Sequence, residues 1–110
     1  MKNFLFICLA FLSLSACKPK DVPTSTPACI EKIIKEGDKQ DDVQLVTRYE
    51  YEGDFYYAVT PGCCDKFTIL YSSDCEEICS PSGGFTGAGD GKCPDWVADL
   101  GEGIIVWEKE

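Results

Sequence analysis

The stretch Val43–Val59, VQLVTRYEYEGDFYYAV, decides the fold class. Val43, Leu45, Thr47, Tyr49 and Tyr51 occupy alternate positions, with Val46 as the one exception. A period of two with one apolar side predicts a half-buried strand. Glu52-Gly53-Asp54 supplies a turn, and Phe55–Thr60 returns as a second strand rich in aromatic and β-branched residues. Pro61-Gly62 ends the hairpin.

Further strands follow downstream. Phe67–Tyr71 reads as a third, Ser72–Glu77 as a turn with Cys75 near its tip, and Ile78–Ser80 as a short fourth. Pro94–Leu100 suits one or two helical turns, with Trp96, Val97 and Leu100 on one side. Ile104–Trp107 is a continuous apolar run, which predicts a strand buried in the sheet. Upstream, Thr26 is placed to cap a helix that has Pro27 at its first position. Ile30, Ile33 and Ile34 give that helix an apolar face, and Gly37 is a plausible stop. The sum is a small α+β domain: an antiparallel sheet of four to five strands, with a short N-terminal helix packed on one face and disulfide staples.

The N-terminus is of another kind. MKNFLFICLAFLSLSAC carries a positive charge at Lys2 and continues in an apolar run from Phe4 to Ala16, broken only by two serines. That run is short of the about 20 residues a spanning helix needs. It fits a secretory signal. Leu14-Ser15-Ala16-Cys17 has the form of a bacterial lipobox, in which Cys17 takes the lipid and becomes the new N-terminus. Residues 1–16 are therefore expected to be removed, 17–26 to form a lipidated, flexible tether, and 27–110 to form one domain. The expected location is the cell envelope, with the chain held on the outer membrane through acylated Cys17. Stable anchoring needs more than one acyl chain.

Without residues 1–16 the chain has nine basic and nineteen acidic groups, a charge of −10. That balance argues against nucleic acid as a partner, since phosphate backbones select basic patches. The chain has no histidine. This excludes a Ser-His-Asp triad, a Cys-His dyad and nearly every catalytic zinc site. Paired carboxylates are the remaining acid–base chemistry, and no recognisable pair occurs. The expectation is no enzyme, no cofactor and no metal.

Besides Cys17 and the signal's Cys8, the cysteines are Cys29, Cys63, Cys64, Cys75, Cys79 and Cys93. An even number in a short exported chain predicts three bridges, with 15 connectivities open. Cys75-x3-Cys79 has passable zinc spacing, but thiolates do not persist unoxidised outside the cytoplasm. Adjacent Cys63 and Cys64 are expected to take different partners, because a ring between neighbours is strained. A domain of this size buries too little apolar surface to be secure without staples.

Between Cys79 and Cys93 runs CSPSGGFTGAGDGKC. A phosphate-binding P-loop would need glycine where Thr86 stands and Ser or Thr where Cys93 stands. A calcium loop needs several oxygen ligands at alternate positions, and Asp90 is the one acid inside the loop. The plain reading is a glycine-rich loop that turns repeatedly and is closed by a disulfide. Cys79–Cys93 is one pairing that would close it; Cys63 or Cys64 are alternative partners for either cysteine.

The pattern YEYEGDFYYAV…PGCCDKF…LY…C…ICSPSGGFTGAGDGKCPDW resembles an uncharacterised family of small lipoproteins of Bacteroidota-type bacteria, catalogued as a domain of unknown function. The aromatic hairpin, Cys63-Cys64-Asp65, Gly83-Gly84-Phe85-Thr86-Gly87 and Gly91-Lys92-Cys93-Pro94-Asp95 carry the resemblance, which spans residues 29–107. It implies the same placement and fold, and brings no activity with it.

The functional expectation is a membrane-anchored, non-catalytic binding or structural module, with an envelope protein or glycan as partner. The candidate contact residues are Tyr49, Tyr51 and Tyr56 on the hairpin, and Gly84, Phe85 and Asp90 on the glycine-rich loop. About half of the hairpin aromatics should instead pack inward, because strand residues alternate between faces. The alternative is an exported inhibitor of proteases or other hydrolases, for which a preorganised loop is well suited.

Overall fold

A computed structural model describes residues 22–62 and 65–110. The expected signal segment and lipidation site, residues 1–17, and the Cys63-Cys64 pair lie outside the described residues. The element order is helix α1 (Ala28–Lys39), then β1 (Val43–Tyr51), β2 (Asp54–Pro61), β3 (Phe67–Ser72), β4 (Glu77–Gly83), a 3-10 turn at Asp95–Asp99, and β5 (Ile104–Glu108). All five strands pair antiparallel in one sheet of order β4-β3-β2-β1-β5. Four strands thus form a meander, and the fifth crosses the sheet to pair with β1.

The β1–β2 hairpin turns through Glu52 and Gly53, both at positive φ (52° and 88°). Two consecutive left-handed residues twist the chain in the sense the strands need. Within β1 the register shifts between Val43 and Leu45. One extra residue there moves Val43 and Val46 onto the same face, next to α1. Val46, the exception to the sequence alternation, is the most buried residue of the strand, at 0 % exposure. Leu45, Thr47, Tyr49 and Tyr51 point to the opposite face.

The main core lies between α1 and the sheet. Ile30 and Ile34 of the helix meet Val43, Val46, Tyr57, Val59, Val106 and Trp107. Val22 packs against this cluster and Thr26 is buried, so the packed body takes in residues 22–26 as well. The disulfide Cys29–Cys75 joins α1 to the β3–β4 turn, across 46 positions of sequence. A second smaller cluster, built on Ala58, Leu70 and Cys79, lies on the other face.

Four sequence expectations are corrected. Thr26 does not cap α1: Pro27 holds the cap position in extended conformation, and its carbonyl accepts from the Ile30 and Glu31 amides at 3.0 Å each. The Thr26 hydroxyl is buried and has no hydrogen-bond partner among the described residues. Gly37 does not stop the helix, which continues to Lys39 with Gln40 as its cap. The glycine instead allows close approach, since a Cβ there would overlap the Val43 Cγ2 methyl. β4 is longer than Ile78–Ser80 and includes Pro81, which is tolerated because β4 is an outer strand with two register shifts against β3. β5 is the other outer strand. Ile104 and Ile105 are 59 % and 56 % exposed; only Val106 and Trp107 of that apolar run are buried.

The glycine-rich loop seals the outer edge of β4. Asp90 donates its amide to the Ser80 carbonyl (2.9 Å) and accepts the Ser80 amide on its carboxylate (3.2 Å). The Gly89 amide donates to the Gly83 carbonyl at 3.1 Å, and Gly83 bridges to Ala88. Gly89 has φ of 85°, and a Cβ there would run into the Ser80 carbonyl and lie 2.9 Å from the Pro81 oxygen. Glycine is required at that point for two separate reasons. Cys79–Cys93 closes the loop at its base. An outer strand with unpaired backbone groups invites pairing with other chains, and this loop removes that exposure on one side.

Candidate functional site

On the face turned away from α1, paired residues form rows across the strands. One row is Thr47, Ala58, Leu70 and Cys79. A second pairs Tyr49 with Tyr56 and Tyr56 with Ser72. On the other side of the first row, Leu45 pairs with Thr60 and Thr68 with Ser82. Continuing the β2–β3 register from Val59–Ile69 sets Thr60 beside Thr68. Neighbouring strands lie about 5 Å apart, so Thr60, Thr68 and Ser82 of this outer row follow one another across β2, β3 and β4.

Residues 93–103 cross over this face. Val97, Leu100 and Cys93 pack on Ala58, Leu70 and Cys79. Trp96 stacks on Tyr51 with centroids 5.1 Å apart and planes at 18°, and meets Tyr56 at 4.9 Å and 47°. Such aromatic pairs contribute about 0.5–1.5 kcal/mol each beyond area burial. Desolvation, and then the nearby Glu52 and Asp99 carboxylates, hold the Tyr51 phenol above its ordinary pKa. The crossing segment covers part of the first two rows and leaves the outer row open.

The open row, together with Thr47, Ala58 and Leu70 of the first row, floors a cleft of about 310 Å³. Thr47, Thr60, Thr68 and Ser82 contribute hydroxyls, Tyr49 contributes a ring, and Leu100 closes the far wall. No charged residue lines it, in a chain of net charge −9. A larger open groove, about 530 Å³, lies on the helix side between α1 and β3. Ile33, Val59, Ile69 and Tyr71 form its apolar floor, and a Lys66–Asp42 ion pair (2.6 Å) stands at its rim. Burial, and then the Glu77 carboxylate, push the Tyr71 phenol upward.

The structure separates the residues singled out in the sequence. Tyr49, Tyr51 and Tyr56 come together on one face, and of these Tyr49 lines the cleft. Tyr51 and Tyr56 pack against Trp96. Phe55 and Tyr57 turn to the helix side, so the hairpin aromatics divide between the faces. Gly84, Phe85 and Asp90 lie at the β4 edge. Phe85 is 91 % exposed at the tip of its loop, and the Asp90 carboxylate is taken up by the Ser80 and Lys92 amides (3.2 and 2.9 Å). Among the described residues no group of three or more His, Cys, Asp or Glu is placed to hold a metal ion. Sequence periodicity does not pick out the threonines of the cleft. Their one signal is a Thr at alternating strand positions, which acquires meaning only once three strands are in register.

Neither the curated proteins nor the solved structures contain a match to this chain. Residues 32–109, from within α1 to the end of β5, match the profile of a domain of unknown function, DUF6970. This span takes in the whole sheet, the crossing segment and both clefts, and the chain belongs to the DUF6970 family.

Proposed function

We propose that this protein is a lipid-anchored lipoprotein of the bacterial cell envelope, held on the outer membrane through Cys17, whose domain is a non-catalytic binding or structural module. The observation that carries the reading is the disulfide frame. Cys29–Cys75 and Cys79–Cys93 both close on geometry that the fold itself provides, and such bridges belong to oxidising compartments. The lipobox at Leu14–Cys17 supports the anchor, and the absence of histidine from the chain supports a non-catalytic role. The test is an intact-mass measurement on the membrane fraction of an expressing bacterium. Acylated protein beginning at Cys17 is expected, and Cys17→Ala should abolish the added mass. Unacylated protein with free thiols in the cytosol would end the reading.

A second reading, an inhibitor of exported hydrolases, is favoured by Phe85. Its side chain stands in solvent on a loop fixed by the Gly83–Gly87, Gly87–Gly84 and Gly84–Lys66 backbone bonds and by the Cys79–Cys93 bridge. An aromatic group on a preorganised loop loses little entropy when it enters a partner's pocket. A panel of proteases preferring aromatic residues, assayed with native protein and Phe85→Ala, tests it. Equal absence of inhibition by both would remove this reading.

A further inference from the structure

We infer that the cleft floored by Thr47, Thr60, Thr68 and Ser82 is a binding site for a neutral saccharide. This deepens the binding-module reading and rests on it. The first ground is the charge pattern. Acidic residues make up nineteen of the chain's positions, yet none lines this cleft. A ligand that is cationic, anionic or metal-like would find no counter-charge there. The second ground is the kind of polar group present. Hydroxyls both donate and accept, so a row of them matches a ligand whose own groups do both. Polyols and sugars are that class.

The third ground is shape. The row Leu45–Thr60–Thr68–Ser82 runs across four strands with a step of about 5 Å, close to the length of one pyranose ring. The Tyr49 ring lines the same cleft from the second row, beyond Thr47, where it can take the apolar face of a sugar, and Leu100 and Pro81 supply further apolar wall. The floor is rigid: Thr68 is buried, the strands are hydrogen-bonded on both sides, and Cys79–Cys93 fixes the crossing segment that forms the opposite wall. A preformed cleft of about 310 Å³ is within the range for a small ligand or for one or two sugar units of a longer chain. The helix-side groove differs in charge and in polar groups, having Glu36, Asp42 and Lys66 around a floor of Ile33, Val59, Ile69 and Tyr71.

The test uses the processed, full-length protein in a sugar-free detergent, isotopically labelled. Neutral hexasaccharides of glucose, mannose and N-acetylglucosamine are titrated one by one, up to about 10 mM, where even weak sites begin to fill. The expected result is that at least one of them shifts the amides of Thr47, Thr60, Thr68 and Ser82. Binding should be insensitive to salt, because no charge takes part. Thr60→Val and Thr68→Val preserve shape and remove one hydroxyl each, and each should weaken binding about tenfold. Tyr49→Leu should weaken it too. Unchanged far-ultraviolet circular dichroism identifies variants that remain folded, and the exposed Ser82→Ala provides a further hydroxyl deletion. The inference is overturned if none of the three saccharides shifts these amides, if shifts map to another surface, or if the valine variants bind as well as native protein. Failure here leaves the acylated mass at Cys17 untouched, so the two readings fall separately.

Discussion

Replacing Gly37 with alanine should destabilise the protein, against the usual preference of helices. Gly37 lies inside α1, more than half a turn from its last residue, and its backbone is helical. At such a position alanine ordinarily gains about 0.5–1 kcal/mol over glycine. Here the new methyl would overlap Val43 Cγ2, and would sit 2.9 Å from Val43 Cβ and 3.6 Å from its amide nitrogen. Val43 is buried and β-branched, so it has one favoured rotamer and little room to turn away. Forcing a methyl into such a contact costs about 1–3 kcal/mol. The clash exceeds the propensity gain, and the net expectation is a loss of about 1 kcal/mol. Val43→Ala alone removes two buried carbons and should cost about 1.5 kcal/mol plus a cavity contribution. In the double variant the methyl added at position 37 occupies the space Val43 vacated. The combined loss should therefore be smaller than the sum of the single losses by about 1 kcal/mol or more. Urea unfolding with the disulfides intact measures all four proteins, and the slope should stay constant across them. An increased midpoint for Gly37→Ala, or strict additivity in the cycle, would refute the close-approach explanation.

Removing Cys79–Cys93 by paired alanine substitution frees a bridge of sequence separation 14 and should cost about 3 kcal/mol; removing Cys29–Cys75, of separation 46, should cost about 4 kcal/mol. Denaturant titration checks both, and the order of the two losses tests the chain-entropy account. Asp90→Ala should cost about 1–2 kcal/mol, because the Ser80 and Lys92 amides lose their carboxylate. Amide exchange at Ser80 should accelerate in that variant. Stability should fall as pH rises above about 10. Burial raises the Tyr57 and Tyr71 phenols, so the unfolded chain ionises first and is favoured between the two pKa values. Hydrogen bonds to Asp41 and then Asp38 raise Lys109, whose contribution is complete below its unfolded pKa and is lost as pH rises through the folded one. Thermal melts from neutral to alkaline pH, with phenolate absorbance recorded, check the direction.

The features legible in the sequence are those written in neighbouring residues. The β1–β2 hairpin, its Glu52-Gly53 turn, the β3–β4 turn carrying Cys75 and the helix face of Ile30, Ile33 and Ile34 each need only local periodicity and turn chemistry. Of the pairings weighed for the glycine-rich loop, Cys79–Cys93 is the one formed. The features that differ from expectation depend on distant partners. Gly37 carries the same letter whether it ends a helix or admits a strand, and only Val43 distinguishes the two. The phase of β1 slips at one extra residue between Val43 and Leu45, so Val46 breaks the alternation although it sits deepest in the core. Ile104 and Ile105 carry the hydropathy of a central strand, yet β5 takes an edge, because the chain reaches β1 from its free side. The cleft is hidden in the sequence for the same reason: Thr47, Thr60 and Thr68 are ordinary threonines until strand register sets them side by side.

The strand order has a consequence for how the domain assembles. Connections of two to five residues join β1 through β4, so these strands can zip up from their turns as soon as each is available. Trp107 meets Val46 only across 61 positions of sequence, and that closure carries a larger entropic cost. A polypeptide delivered N-terminus first has α1 and the meander in hand before its last strand arrives. Until then the core lacks Val106 and Trp107. β5 thus works as a latch: it supplies Val106 and Trp107 to the hydrophobic interior after the rest of the sheet has been made.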